Sequence, residues 1–227
     1  MKAAILTGYD KNGRDLEARD IPAPEPNPGE TPVRMTADAN ALMANDPACD
    51  DALILVDGLD REIGTATKRT AHEKGLLHRA FSVVLMRDSA EGPELLLSRR
   101  ALSKYHSGGL WANSCCSHPR AGEKVVEAAY RRVKEELGCE AVDLRDVTAF
   151  AYRAAFDNGL CEFEFDHVLV GRCNGEIEPN PDEISEARWT TFDALATELA
   201  EKPHAFAAWA PMALTLAMAE LRTETPR

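Results

Sequence analysis

Several broad classes of protein are excluded by what this sequence has little of. Cations are the minority charge, 26 Lys+Arg against 38 Asp+Glu, for a formal net charge of -12. Non-specific nucleic-acid binding runs on cationic neutralisation of phosphates, so no nucleic-acid partner is expected. An anionic membrane surface would repel such a chain. Long apolar runs are also missing. The weakly polar stretch 203–219 contains His204, Pro211 and many alanines, and reads as a buried terminal helix rather than a membrane span. The six cysteines include no C-x-x-C pair and are too sparse for a disulfide scaffold. A basic–apolar–small signal pattern is lacking at the start, and no G-x-G-x-x-G announces a nicotinamide-binding unit. These absences predict a reduced, soluble, cytoplasmic protein.

What is present fits one moderately large domain with an appendage. Over 227 residues, 44% are hydrophobic and 28% charged, enough for a proper core. Residues 1–50 stand apart: Pro22, Pro24, Pro26, Pro28 and Pro32 favour extended backbone and exclude helix. Residues 51–222 form the expected main domain, with a tail at 223–227. Short β-rich runs at Ala52–Val56, Ala80–Met86, Glu94–Ser98, Val147–Phe156, Cys161–Val170 and Ala187–Thr190 predict strands. A helix is predicted over Glu123–Leu137, with an apolar stripe of Val126, Tyr130, Val133 and Leu137 and a stop at Gly138. Two further helices are expected near Asp193–Glu201 and Phe206–Arg222. Strands flanking a helix, then terminal helices, predict an α/β sandwich of the α+β kind.

Five groups of residues could carry chemistry. Glu162 and Glu164, two apart in a predicted strand, share a face opposite Phe163 and Phe165. Taken alone, that pattern reads as a solvated outer face. Cys116 and His118 are likewise two apart, which sets thiol beside imidazole in extended chain. His72 and His78 are six apart, so a loop is needed to bring them together. Three imidazoles (His72, His78, His118) and two carboxylates (Glu162, Glu164) make a plausible site for Mn²⁺, Zn²⁺ or Fe²⁺. Arg99, Arg100 and Lys104 form a local cationic cluster suited to clamping phosphate. In the helix, Arg131/Glu135 and Arg132/Glu136 are i,i+4 pairs in the less favourable order, base before acid.

The order and spacing of these pieces resemble the type 1 isopentenyl-diphosphate isomerases of the Nudix-fold superfamily. The resemblance rests on LILVDGLDREIGTATKRTAH, LLHRAFSVVLM, LLLSRRALSKYHSGGLWANSCCSHP, RRVKEELG, YRAAFDNGLCEFE and PHAFAAW, over about residues 52–212. RRALSK followed by W-x-N-S-x-C-x-H-P is its most specific part. A Nudix box, G-x5-E-x7-R-E-U-x-E-E-x-G-U, survives in part. Ser117 stands at the first glycine, Glu123 and Arg131 match, Arg132 replaces a glutamate, and Glu135, Glu136 and Gly138 remain. A hydrolase uses that acidic cluster to hold metals, so the lost acid speaks against hydrolysis.

The resemblance implies a Nudix-type α/β/α sandwich with a mixed sheet, acting on a small prenyl diphosphate as a monomer or weak dimer. It implies that His72, His78, His118, Glu162 and Glu164 hold a divalent metal, Mn²⁺ or another, and that Glu136 helps hold Mg²⁺ arriving with the diphosphate. Lys68, Arg100, Lys104 and Arg132 would contact the diphosphate. Cys116 rather than Cys115 falls on the catalytic cysteine, Glu164 supported by Tyr152 on the opposing acid/base group, and Trp209 on the aromatic residue facing a developing cation. Tyr105, His106 and Ser107 depart from a more apolar stretch of the pattern, which would loosen the pocket lid. The alternatives are a Nudix pyrophosphohydrolase of a nucleoside diphosphate derivative and a metal-binding module without activity. Residues 1–50 resemble the opening strands of medium-chain dehydrogenases, but with no nicotinamide-binding unit following, no oxidoreductase function is implied.

Overall fold

A computed structural model describes residues 51–90, 92–173 and 175–224. The expected appendage 1–50 and residues 225–227 lie outside the described residues. In chain order the elements are β1 (Ala52–Val56), β2 (Glu62–Thr67), α1 (Lys68–Lys74), β3 (His78–Ser89), β4 (Gly92–Arg100), β5 (Trp111–Ala112), β6 (Cys115–Ser117), α2 (Val125–Leu137), β7 (Val142–Ala155), β8 (Cys161–Arg172), β9 (Ile184–Thr191), α3 (Phe192–Glu201), a 3₁₀ turn at Pro203–Ala205, and α4 (Ala210–Glu224).

β3 organises the sheet. It pairs antiparallel with β1, β4 and β6, and parallel with β8 from His78↔Glu164 to Met86↔Arg172. β7 adds to β8, β9 and β5 to β4, and β2 to β1, all antiparallel. The sheet is therefore mixed, as expected. Side-chain alternation along β3 feeds two cores. Phe81, Val83 and Leu85 pack with Ala128, Ala129, Val133 and Leu137 of α2. Val84 and Met86 lie on the other face with Leu195 of α3 and Ala213, Leu214 and Ala217 of α4. Helices thus cover both faces of the sheet.

The predicted strands all form, most of them longer than their apolar runs, and four elements adjust the expectation. β2 is exposed along most of its length and contains Gly64, so it carries no alternation to read. α1 is seven residues long, too short to display a helical period. Thr67 caps it by accepting from Thr70 N–H at 3.2 Å. α2 begins at Val125, not Glu123, because Glu123 closes the preceding turn by accepting from Arg120 N–H at 2.9 Å. Its stripe is also shifted: Tyr130 is 40% exposed, and its hydroxyl accepts from Leu144 N–H at 3.0 Å. The buried face is Ala128, Ala129, Val133 and Leu137. α4 starts at Ala210 rather than Phe206, since Phe206 bridges Trp111 and Ala207 N–H donates to the Trp111 carbonyl at 2.8 Å. No helix among the described residues is long and apolar enough to cross a membrane.

Candidate active site

β8 sorts its side chains against the outer-face reading of its sequence. Glu162, Glu164 and Asp166 are buried, while Phe163 and Phe165 are half-buried. Alternation holds but its polarity is reversed, because the carboxylates meet partners that repay their desolvation. The register sets His78, at the start of β3, beside Glu164. His118 follows β6. His72 lies on the last turn of α1, and Gly75, left-handed at φ 59°, turns the chain back so that the His72 and His78 rings stand 5.2 Å apart.

One ligand atom from each of His72, His78, His118 and Glu164 lies within 4.8 Å of all the others. His118 Nε2 is 3.0 Å from Glu164 Oε1, and His78 Nε2 is 3.5 Å from it and 3.2 Å from His118 Nε2. The second ring nitrogen of His78 faces the Leu76 carbonyl at 2.8 Å, and that of His72 the Tyr105 hydroxyl at 3.3 Å. Such outer bonds orient an imidazole toward a metal. His72 Nε2 is buried with no hydrogen-bond partner among the described residues. An orphaned buried nitrogen is costly, about 1–3 kcal/mol, and three imidazoles with a carboxylate are a donor set for a divalent cation. The residues fit such an ion. Burial, then the neighbouring imidazoles, push the His72 ring far down and keep it neutral. Burial alone would raise Glu164, but the His118 and His78 donors hold it well below the usual carboxylate range.

Glu162 stands outside that set of four. Its Oε1 pairs with His106 Nε2 at 3.0 Å and its Oε2 accepts from the Tyr152 hydroxyl at 3.0 Å. Tyr152 also reaches Glu164 Oε2 at 2.6 Å. Burial, then the two glutamates, push the Tyr152 phenol well up. Asp166 accepts from the Ser82 hydroxyl at 2.8 Å; burial, then Glu164, raise its carboxyl well above the ordinary value.

A cleft of about 300 Å³ opens beside these groups, and Lys68, Arg100, Lys104 and Arg132 all line it. Glu183 joins two of them, pairing with Lys104 and lying 3.4 Å from Arg132. Arg132 also holds Glu136 at 2.5 Å and Glu135 at 2.9 Å. Glu136 is thus buried against a guanidinium, and burial raises its carboxyl. Arg100 Nε is buried without a partner among the described residues, a donor available to an anion. Arg99 leaves the cluster expected for it: strand alternation turns it outward, where it donates to the Gly109 carbonyl at 2.8 Å.

Cys116 and Trp209 complete the lining. Alternation along β6 sends Cys115 into the α2 core and Cys116 toward the cleft. Burial pushes the Cys116 thiol up, with the Arg100 charge opposing, so the sulfur is protonated at neutral pH. β6 and β8 flank β3 in the sheet, and Cys116 and Glu164 both line the cleft. The Trp209 indole N–H donates to Asn113 Oδ1 at 3.1 Å, and the Asn113 amide donates to the Val83 and Cys115 carbonyls. The ring is therefore fixed against the strand that carries Cys116. Asn113, Asp166 and Glu183 were not singled out by sequence reasoning, and His106 stood out only as a departure from the family pattern. Asn113 lies within the W-x-N-S stretch, and Asp166 continues the two-residue period of Glu162 and Glu164. Tyr105 and His106 do not loosen a lid: both are 4% exposed and packed into the site.

The fold and this arrangement place the chain in a known class. The NUDIX domain family matches residues 76–210. A Deinococcus radiodurans protein of known crystal structure shares the fold, with a TM-score of 0.56 and 22% identity over 74% of this chain and 98% of that one. The isopentenyl-diphosphate Delta-isomerase of Photobacterium profundum is 45% identical over 77% of this chain and 98% of its own length. Isopentenyl-diphosphate Delta-isomerase 1 of Aromatoleum aromaticum is 49% identical over 70% of this chain and 88% of its own. The chain belongs to the isopentenyl-diphosphate Delta-isomerase family within the NUDIX proteins. It is an enzyme of a family that implies a divalent metal.

Proposed function

We propose that the chain interconverts isopentenyl and dimethylallyl diphosphate, with Cys116 and Glu164 as the two proton-transfer groups, and that residues 51–222 carry the activity. The supporting observation is the placement of a thiol and a carboxylate on strands either side of β3, in one cleft that Lys68, Arg100, Lys104 and Arg132 also line. Lys68, Arg100, Lys104 and Arg132 take the diphosphate, and this remote anchoring orients the hydrocarbon end. A proton adds to the terminal alkene carbon, the charge forms at the tertiary carbon, and a proton leaves the carbon nearer the diphosphate oxygen. Two groups on opposite sides are needed, one giving and one taking. The Trp209 face supplies electron density to the cation without a nucleophile to trap it. Tyr105, His106 and Trp209, all 4% exposed, keep water from the reacting end.

His72, His78, His118 and Glu164, joined by Glu162, would hold Mn²⁺ or another divalent ion, and Glu136 would help hold a Mg²⁺ that enters with the diphosphate. These ions supply charge neutralisation and fix ionised carboxylates. Arg132, standing where hydrolases of the fold carry an acid, favours isomerisation over pyrophosphate cleavage. The test is to present isopentenyl diphosphate and, separately, nucleoside diphosphate derivatives, and to follow phosphate release and alkene position. A double-bond shift without phosphate release supports the isomerase; phosphate release from the nucleotides selects the hydrolase.

A further inference from the structure

An aromatic ring attracts positive charge at its face and repels it at its edge, most of all at an indole N–H. Which part of Trp209 looks into the cleft therefore matters, and one side chain decides it. The indole N–H donates to Asn113 Oδ1 at 3.1 Å. Trp209 lines the cleft, while Asn113 is 0% exposed and lies outside the lining. The N–H edge is thus turned into the protein. The face is turned to cations: the Arg100 guanidinium, itself in the cleft wall, stands over the ring at 5.2 Å from its centroid. The amide that holds this edge is itself anchored. Its Nδ2 donates to the Val83 carbonyl on β3 at 3.1 Å and to the Cys115 carbonyl on β6 at 2.8 Å. Those carbonyls only accept and the indole only donates, so chemistry fixes which way the amide points. The Asn113 backbone carbonyl is held too, accepting from the Ser98 hydroxyl at 2.8 Å.

We propose that Asn113 is a positioning residue for the isomerisation: it locks the rotation of Trp209 so that the ring face, and not the N–H edge, meets the cation. Without Asn113 the indole N–H is a buried donor with no acceptor, which is costly, and the ring is freed to turn toward other acceptors. The cation then meets less electron density. Val83, Cys115, Ser98 and Trp209 are not metal ligands in the proposed mechanism, so bound ions leave this tie intact. The inference rests on the reading of Trp209 as the group that faces the cation.

The test is a double-mutant cycle on the metal-loaded full chain. Steady-state kcat and KM for isopentenyl diphosphate are measured for Asn113→Leu with Trp209 intact and with Trp209→Phe, which keeps an aromatic face but has no N–H to hold. Circular dichroism and metal content are followed alongside. Asn113→Leu is expected to lower kcat on the order of 10- to 100-fold, as misplacement of a reacting environment does. KM should change little, because the diphosphate end is held elsewhere. In the Trp209→Phe background the loss shrinks toward nothing, since the tie is already gone. Hydrogen exchange of the Trp209 indole N–H, identified in a nitrogen-correlated NMR spectrum by its absence from Trp209→Phe, should be slow in the wild type and faster in Asn113→Leu. If the leucine variant does not fold, Asn113→Ser replaces it; its hydroxyl is too short to reach the indole, and the same loss is expected. Equal losses in both backgrounds, a rise in KM with kcat unchanged, or unchanged indole exchange would overturn the proposal. Trp209→Ala is the control. If it turns over normally, the aromatic reading itself fails; if it is dead while Asn113→Leu is fully active, only the role of Asn113 does.

Discussion

One residue step along β6 decides which of two adjacent thiols meets the cleft. Cys115 packs beneath α2 and Cys116 lines the cleft near Arg100. Cys116→Ala should therefore abolish turnover while metal content, measured by mass spectrometry, stays at the wild-type level. Cys115→Ala should lower stability by about 1 kcal/mol, as small core truncations do, and leave turnover near wild type. Near-normal turnover in Cys116→Ala would remove that thiol from the mechanism. Residue identities were legible in advance because each chemical type sits at a fixed offset in a specific motif. Their environments were not. The pattern of β8 shows that Glu162 and Glu164 share a face, but that face points inward only because α1, α4 and the imidazoles cover it. Those partners lie far away in sequence.

At the scale of elements, the turn after α1 is the joint that brings together two histidines on unlike elements. Gly75 adopts φ 59°, and an added Cβ would stand 3.2 Å from the Cys161 sulfur. Gly75→Ala should destabilise the protein by about 1 kcal/mol or more and weaken divalent-ion affinity in a calorimetric titration. An unchanged affinity would show that the turn does not set the His72–His78 geometry. A second joint ties the β1–β2 turn to the sheet. His167 lies 2.7 Å from Asp146 Oδ2 and 3.1 Å from Asp60 Oδ2, while Arg79 also bonds Asp60. Burial opposes the charge on His167, but the two carboxylates outweigh it and raise its pKa above the ordinary value. A raised histidine contributes stability that is complete below its unfolded value of about 6.5 and lost as pH rises through the folded value. His167→Gln should accordingly cost more stability in urea unfolding at pH 6 than at pH 9; equal costs at both would contradict the clamp. Neither joint was visible in the sequence. The helix is too short to show a period, and a histidine within a strand carries no sign of its partners across the sheet.

For the whole molecule, the sequence made the class and the mixed sheet legible, through the order of its motifs, but not the pairing that builds the site. The parallel contact of β3 with β8 joins residues such as Ser82 and Val168. No local periodicity encodes it, yet it brings His78 to Glu164. A chain with a net charge of -12 still gathers cations locally. Lys68, Arg100, Lys104 and Arg132, from three separate segments, line one cleft, two of them joined through Glu183. Steering to that cleft is local and short-ranged, as charge screening requires. The most direct test of the account is proton NMR of the full chain with isopentenyl diphosphate, Mg²⁺ and Mn²⁺ in D₂O. A new vinylic methyl signal with deuterium entering the product carbons is the predicted result. Unchanged isopentenyl diphosphate from folded, metal-loaded protein, or free phosphate without a double-bond shift, would contradict it.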